Sequence, residues 1–116
     1  MARYEHIAIF QSAYILTLEI YRSVSNFKKE HKYTLGEKLK LICHGMLDLI
    51  MIANSEKNKN EYLRKLEYKT ETLRIYLRLA FDLKIISAGY LEKTNKQLEE
   101  IKKQIGGWQK WASGSN

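Results

Sequence analysis

The sequence predicts an all-α protein, an up-down-up-down antiparallel four-helix bundle that assembles into a homo-oligomer. Three observations predict it. There is no proline in 116 residues, and proline interrupts almost every architecture except long helices. Apolar residues recur at three- and four-residue spacing through four separate segments. Short polar stretches join those segments, and connections that short place consecutive helices antiparallel. At 45% apolar residues the chain is long enough to bury one core, so a single domain is expected over residues 1–112.

The first helix is expected over about 7–26. Phe10, Tyr14, Thr17, Tyr21 and Val24 form one stripe, and Ile9, Ala13, Leu16, Ile20 and Phe27 a second. It ends at the polar NFKKEHKY stretch, read as a loop. The second helix, about 35–54, opens on Thr34 with Glu37 three residues on, the pattern of a capping box. Leu35, Leu39, Ile42, Met46, Leu49 and Ala53 then follow at heptad-like spacing. NSEKNKN is a solvated turn. The third helix, about 61–84, carries Leu63, Leu66, Thr70, Leu73, Leu77 and Ala80 on one face. Ser87 is placed to cap the fourth, about 88–111, with Leu91, Leu98, Ile101, Ile105 and Trp108 in register. Gly106-Gly107 ends that helix, kinks it or admits a close neighbour. The final residues, 113–116, read as an unstructured tail. Helices of about 20 residues give a bundle about 30 Å long.

The second and fourth helices have the single apolar stripe of a bundle component. The first and third have more. Between Gln11 and Phe27 the polar positions narrow to Ser12, Glu19, Arg22 and Asn26, and between Thr72 and Lys84 to Arg74, Arg78 and Asp82. A monomer would expose that surplus as apolar patches of a size that marks an interface, so a second copy is expected to cover it. The competing reading leaves aromatic residues at the bundle edge, half covered by lysine stems.

The formal net charge is +7, which favours nucleic acid, anionic membrane or an acidic partner. Apolar runs stop short of bilayer-spanning length, so no membrane is expected. The N-terminus lacks a signal-peptide pattern, and one cysteine, Cys43, fits a reducing cytoplasm. Lys28, Lys29 and Lys32 in the first loop, and Lys102, Lys103 and Lys110 near the end, serve solubility singly. In a ring of copies their charge multiplies.

Catalytic chemistry finds no foothold. Cys43 and His44 are adjacent and point about 100° apart on a helix. His44 shares the outer line of Glu37, Lys40 and Asp48, and His6 and His31 lack a second ligand at metal spacing. No cofactor or metal is implied. The helical-bundle ribonucleases of the HEPN type carry Arg followed four to six residues later by His, and no arginine here has that follower. Arg74 and Arg78 lie one turn apart on the only polar line of the third helix. They either pair within the helix, with Glu71 and Asp82, or face a shared surface where guanidinium groups grip phosphate.

Four strings in order, YTLGEKLK (33–40), IANSEKNKNEYLRKLE (52–67), LRIYLRLAFDLKIIS (73–87) and IGGWQKW (105–111), resemble the Avd family, the accessory variability determinants of diversity-generating retroelements. The resemblance implies a non-enzymatic, basic homopentameric barrel of bundles. It implies binding to a reverse transcriptase and to template RNA or cDNA, in support of mutagenic retrohoming. Arg74 and Arg78 match the family's basic contact residues, with Arg22, Lys38 and Arg64 as further candidates. Related bundles are encoded in ribosomal RNA intervening sequences, and a ribosome-associated interaction protein is the alternative.

Overall fold

The computed structural model describes residues 7–114. The expected start of the domain at residue 1, the placement of His6, and the last two residues of the 113–116 tail lie outside the described residues. Four long helices and one short helical turn make up the described fold, without a strand: α1 (Ala8–Val24), α2 (Lys29–Lys32), α3 (Leu35–Ser55), α4 (Asn60–Asp82) and α5 (Ala88–Gly114). Around the bundle α1 packs on α3, α3 on α4, α4 on α5, and α5 closes back on α1. Helices α1 and α4 are therefore diagonal. The antiparallel seam between α1 and α5 is fixed where Tyr90 Oη donates to the Glu19 carbonyl at 3.3 Å and Lys93 Nζ meets Glu19 Oε2 at 3.1 Å.

The core face of α1 is the second of its two stripes: Ile9, Ala13, Leu16, Ile20 and Phe27 are buried, together with Val24, while Tyr14 and Tyr21 point outward. On α4 all six residues of the apolar face, from Leu63 to Ala80, are buried. Burying a Leu or Ile side chain is worth about 1.5–3 kcal/mol, so these faces drive assembly. Thr70 and Thr94 enter the core without leaving a hydroxyl stranded. Each donates one turn back, to the Leu66 carbonyl at 2.8 Å and the Tyr90 carbonyl at 3.0 Å.

The connections differ from expectation where side chains compete for backbone. Ser25 Oγ and Asn26 Nδ2 both donate to the Arg22 carbonyl, at 2.7 and 3.3 Å, which draws off the last turn of α1. Part of the polar stretch read as a loop is helical, the turn α2. Thr34 does not cap α3: its hydroxyl donates backward, to Glu30 O at 2.9 Å and His31 O at 3.4 Å. Glu37 pairs with Lys40 at 3.0 Å instead, so no capping box forms. The start of α3 is set by close packing. A Cβ on Gly36 would lie 2.6 Å from Val24 Cγ1 and 3.3 Å from the His31 carbonyl, a space only glycine fits.

The other ends are tied by polar groups. Lys59 Nζ donates to the carbonyls of Ala53 and Glu56, both at 2.8 Å, and of Asn54 at 3.4 Å, capping α3 from across the loop. Ser87 caps α5, its Oγ accepting the Tyr90 N–H at 3.1 Å. Helix α5 neither ends nor kinks into another element at Gly106-Gly107. It continues to Gly114, so residues 113 and 114 of the expected tail are helical. Its 27 residues rise about 40 Å, longer than the expected bundle.

Candidate interaction surface

The surplus of apolar residues read from the sequence lies on the outside. On α1, Tyr14, Ile15, Leu18 and Tyr21 are exposed, Ile15 to 53%. Along α4 and its C-cap, Tyr68, Ile75, Leu79 and Leu83 are exposed at the seven- and four-residue spacing of one helical line, Ile75 to 51%. Because α1 and α4 are diagonal, the two lines face away from each other on opposite sides of the bundle. They are different surfaces, so two copies joined through both make a head-to-tail contact rather than a self-complementary one.

Beside the apolar line of α4 runs its charged line. Arg74 reaches one turn back to Glu71: Nη2 to Oε2 at 2.6 Å, and Nε to Oε1 at 2.9 Å. Arg78 Nε donates to Asp82 Oδ1 at 3.1 Å. The Arg74 guanidinium, through this hydrogen bond first and its charge second, holds the Glu71 carboxyl below its ordinary range. Both pairs are solvent-exposed, where ion pairs contribute little. The intrahelical alternative is thus the arrangement in the isolated chain.

Arg64 and Arg74 come together in an open groove of about 690 Å³ between α4 and α5, with Lys102 from α5 and the carboxylates of Glu67, Glu71 and Glu99. Three cations and three carboxylates balance there. The remaining expected contact residues do not join them. Lys38, on α3, lays its ammonium over the Tyr76 ring, 5.3 Å from the centroid. Arg22 is exposed near the end of α1, on the diagonal helix. The sequence placed Lys102 among the solvated cations near the C-terminus; its position beside Glu71 follows only once α4 and α5 are in register.

A second polar cluster bridges α1 and α3. Tyr21 Oη and His44 Nε2 are 2.6 Å apart, and Lys40 Nζ lies 5.0 Å from the Tyr21 centroid. His44 is exposed, on the outer line as expected, but is held by a cross-helix partner. Cys43 is buried, and burial pushes its thiol up to about 12, which makes it a poor nucleophile. Among the described residues no three His, Cys, Asp or Glu side chains are grouped to hold a metal. No described helix is long and apolar enough to cross a membrane.

Fold and surface together define a basic four-helix bundle with exposed apolar lines on diagonal helices and a charged line beside one of them. The model of the bAvd-like family matches residues 7–112, and the chain belongs to that family. No curated protein matches it. The family is one of accessory proteins, and membership points to a diversity-generating retroelement.

Proposed function

We propose that this protein is the accessory component of a diversity-generating retroelement. It acts in the cytoplasm as a homo-oligomer, a pentamer, and binds the reverse transcriptase together with template RNA or cDNA. It catalyses no step itself and supports mutagenic retrohoming by holding polymerase and template on one basic scaffold. The observation that carries the reading is the pair of exposed apolar lines on diagonal helices in a chain of this family. Head-to-tail contacts between such lines close into a ring when the rotation per subunit permits.

Ring formation gives the charged line of α4 its role. Copies that cover Ile75, Leu79 and Leu83 on one flank leave Arg74 and Arg78 at the border of a shared surface. Exchange of Glu71 and Asp82 for a partner's phosphate or carboxylate is then inexpensive, since both existing pairs are solvent-screened. Arg64, Lys38 and Arg22 extend the basic surface around the ring.

The test is co-purification with the reverse transcriptase encoded beside the gene. Charge reversal of Arg74 and Arg78 together is expected to abolish capture while the oligomer persists. Full capture by that double variant removes the two arginines from the contact, and no capture by the native protein overturns the reading.

A further inference from the structure

On the helix sides, Lys40, Lys65, Arg74, Arg78, Lys93 and Lys96 each meet a carboxylate, while Arg22, Lys38, Arg64, Lys69, Lys102 and Lys103 are in no ion pair among the described residues but lie dispersed over four helices. At the end of the bundle where α2 lies, Lys28, Lys29, Lys32 and Lys84 are in no ion pair among the described residues. Two buried loop residues hold that end together. Phe27, beside Lys28, and Ile86, two residues after Lys84, line the same small internal gap with Leu39 and Leu77. The segments 19–41 and 76–96, which build this half, carry ten Lys and Arg against five Asp and Glu, while the remaining described residues carry nine against seven.

The backbone adds an independent sign. Helix α4 ends in a Schellman turn, with Ile85 N–H donating to Ala80 O at 2.8 Å and Lys84 N–H to Phe81 O at 2.9 Å. The residue at the left-handed position of that turn is ordinarily glycine. Here it is Lys84, at φ 64°, the one residue other than glycine with positive φ among those described. A lysine there is strained relative to glycine. Lys28, Lys29 and Lys32 also repel one another across a single turn, and Glu30 is the only carboxylate within it. Lysines gathered on one turn, and a lysine rather than a glycine at the left-handed position, concentrate positive charge at this end and favour an anionic partner.

We propose that this end is a phosphodiester-binding tip for single-stranded nucleic acid. Lys28, Lys29, Lys32 and Lys84 contact backbone phosphates, and Tyr33, 64% exposed among them, stacks on a base. A cationic surface carrying an exposed aromatic ring is the recognition mode of unpaired strands. The identity of the polyanion rests on the retroelement reading above; the location of the site does not.

The test is fluorescence anisotropy of a labelled single-stranded RNA oligonucleotide across a salt series, with the full chain. Replacing Lys28, Lys29 and Lys32 together by Gln is expected to weaken binding about tenfold or more. It should also flatten the log–log salt dependence by about 2 units, since each lost phosphate contact on a single strand removes about 0.7. Replacing Lys57, Lys103 and Lys110 by Gln removes the same charge elsewhere and should change affinity less than about threefold. Lys84→Gly keeps the folding question separate. It should raise the melting temperature by a few degrees and still weaken binding. Equal losses in the two triple variants, or native affinity in Lys84→Gly, overturn the tip. Native protein that retains no RNA at low salt overturns both the tip and the nucleic-acid part of the proposed function; reverse-transcriptase capture is read separately.

Discussion

Arg74 grips Glu71 through two nitrogens, Nη2 to Oε2 at 2.6 Å and Nε to Oε1 at 2.9 Å. Of the two roles the sequence leaves open for Arg74, the intrahelical pair is the one formed in the isolated chain, and a partner that grips the same nitrogens must displace a carboxylate. Because the pair is exposed, its contribution to folding is small. Glu71 has a folded pKa below its ordinary 4.5, so that contribution is present above pH 4.5 and is lost as pH falls through the folded value. Glu71→Gln should leave the neutral-pH melting temperature within a few degrees and slightly reduce its decline on acidification, as read by circular dichroism. The same variant frees Arg74 and should tighten reverse-transcriptase capture.

Gly36→Ala should destabilise the bundle by about 1–3 kcal/mol, the ordinary cost of overpacking. The added methyl meets Val24 Cγ1 at 2.6 Å and the backbone carbonyl of His31 at 3.3 Å, and the second of these cannot rotate away. Urea unfolding measures it. A native midpoint would mean that α1 and α3 approach less closely than described.

Lys59→Met should cost about 1–2 kcal/mol, because it leaves the last carbonyls of α3 without their shared donor. The loss should localise: amide exchange should accelerate at Ser55–Asn60 before it does in the core of α4.

Gly106→Ala and Gly107→Ala should each stabilise the folded chain by about 1 kcal/mol. Both lie inside α5, and a Cβ at either meets nothing within 4 Å. Weakened oligomerisation in a variant with a raised melting temperature would show that a neighbouring copy uses the space.

Cys43 should resist thiol reagents at pH 8 until the protein unfolds. Its folded pKa is raised from 9.0 to about 12 by burial. The buried neutral thiol therefore contributes stability that is full below pH 9 and declines as the unfolded thiol ionises above it, until the folded thiol does so near 12. Cys43→Ala should flatten part of the alkaline fall in melting temperature.

Much of the fold was legible because it rests on periodicity. The buried face of α4, Leu63 through Ala80, follows from spacing alone, since a helix this amphipathic has one way to turn inward. The stripes of α1 were both readable, but not which of them is the core, because that depends on how α3 and α5 flank it. Thr34 misled for a local reason. Its hydroxyl can serve the turn behind it or the helix ahead, and only the presence of α2 decides. The pairing of Tyr21 with His44 and the place of Lys102 in the α4–α5 groove depend on register between elements far apart in sequence, which no spacing rule reports. Lys59 as a cap is local, but depends on how the loop folds back over the last turn of α3. Of the expected contact residues, the positions of Arg74 and Arg78 were readable and both of their alternatives were foreseen. The gathering of unpaired lysines with Lys84 was not, since it joins two turns more than fifty residues apart in the chain.

In the proposed ring, other copies of the chain cover the apolar lines of α1 and α4. Light scattering on the purified protein at micromolar concentration should show one species at about five times the 13.7 kDa chain mass. A stable 13.7 kDa particle, with Ile15 and Ile75 left in water, would refute the ring.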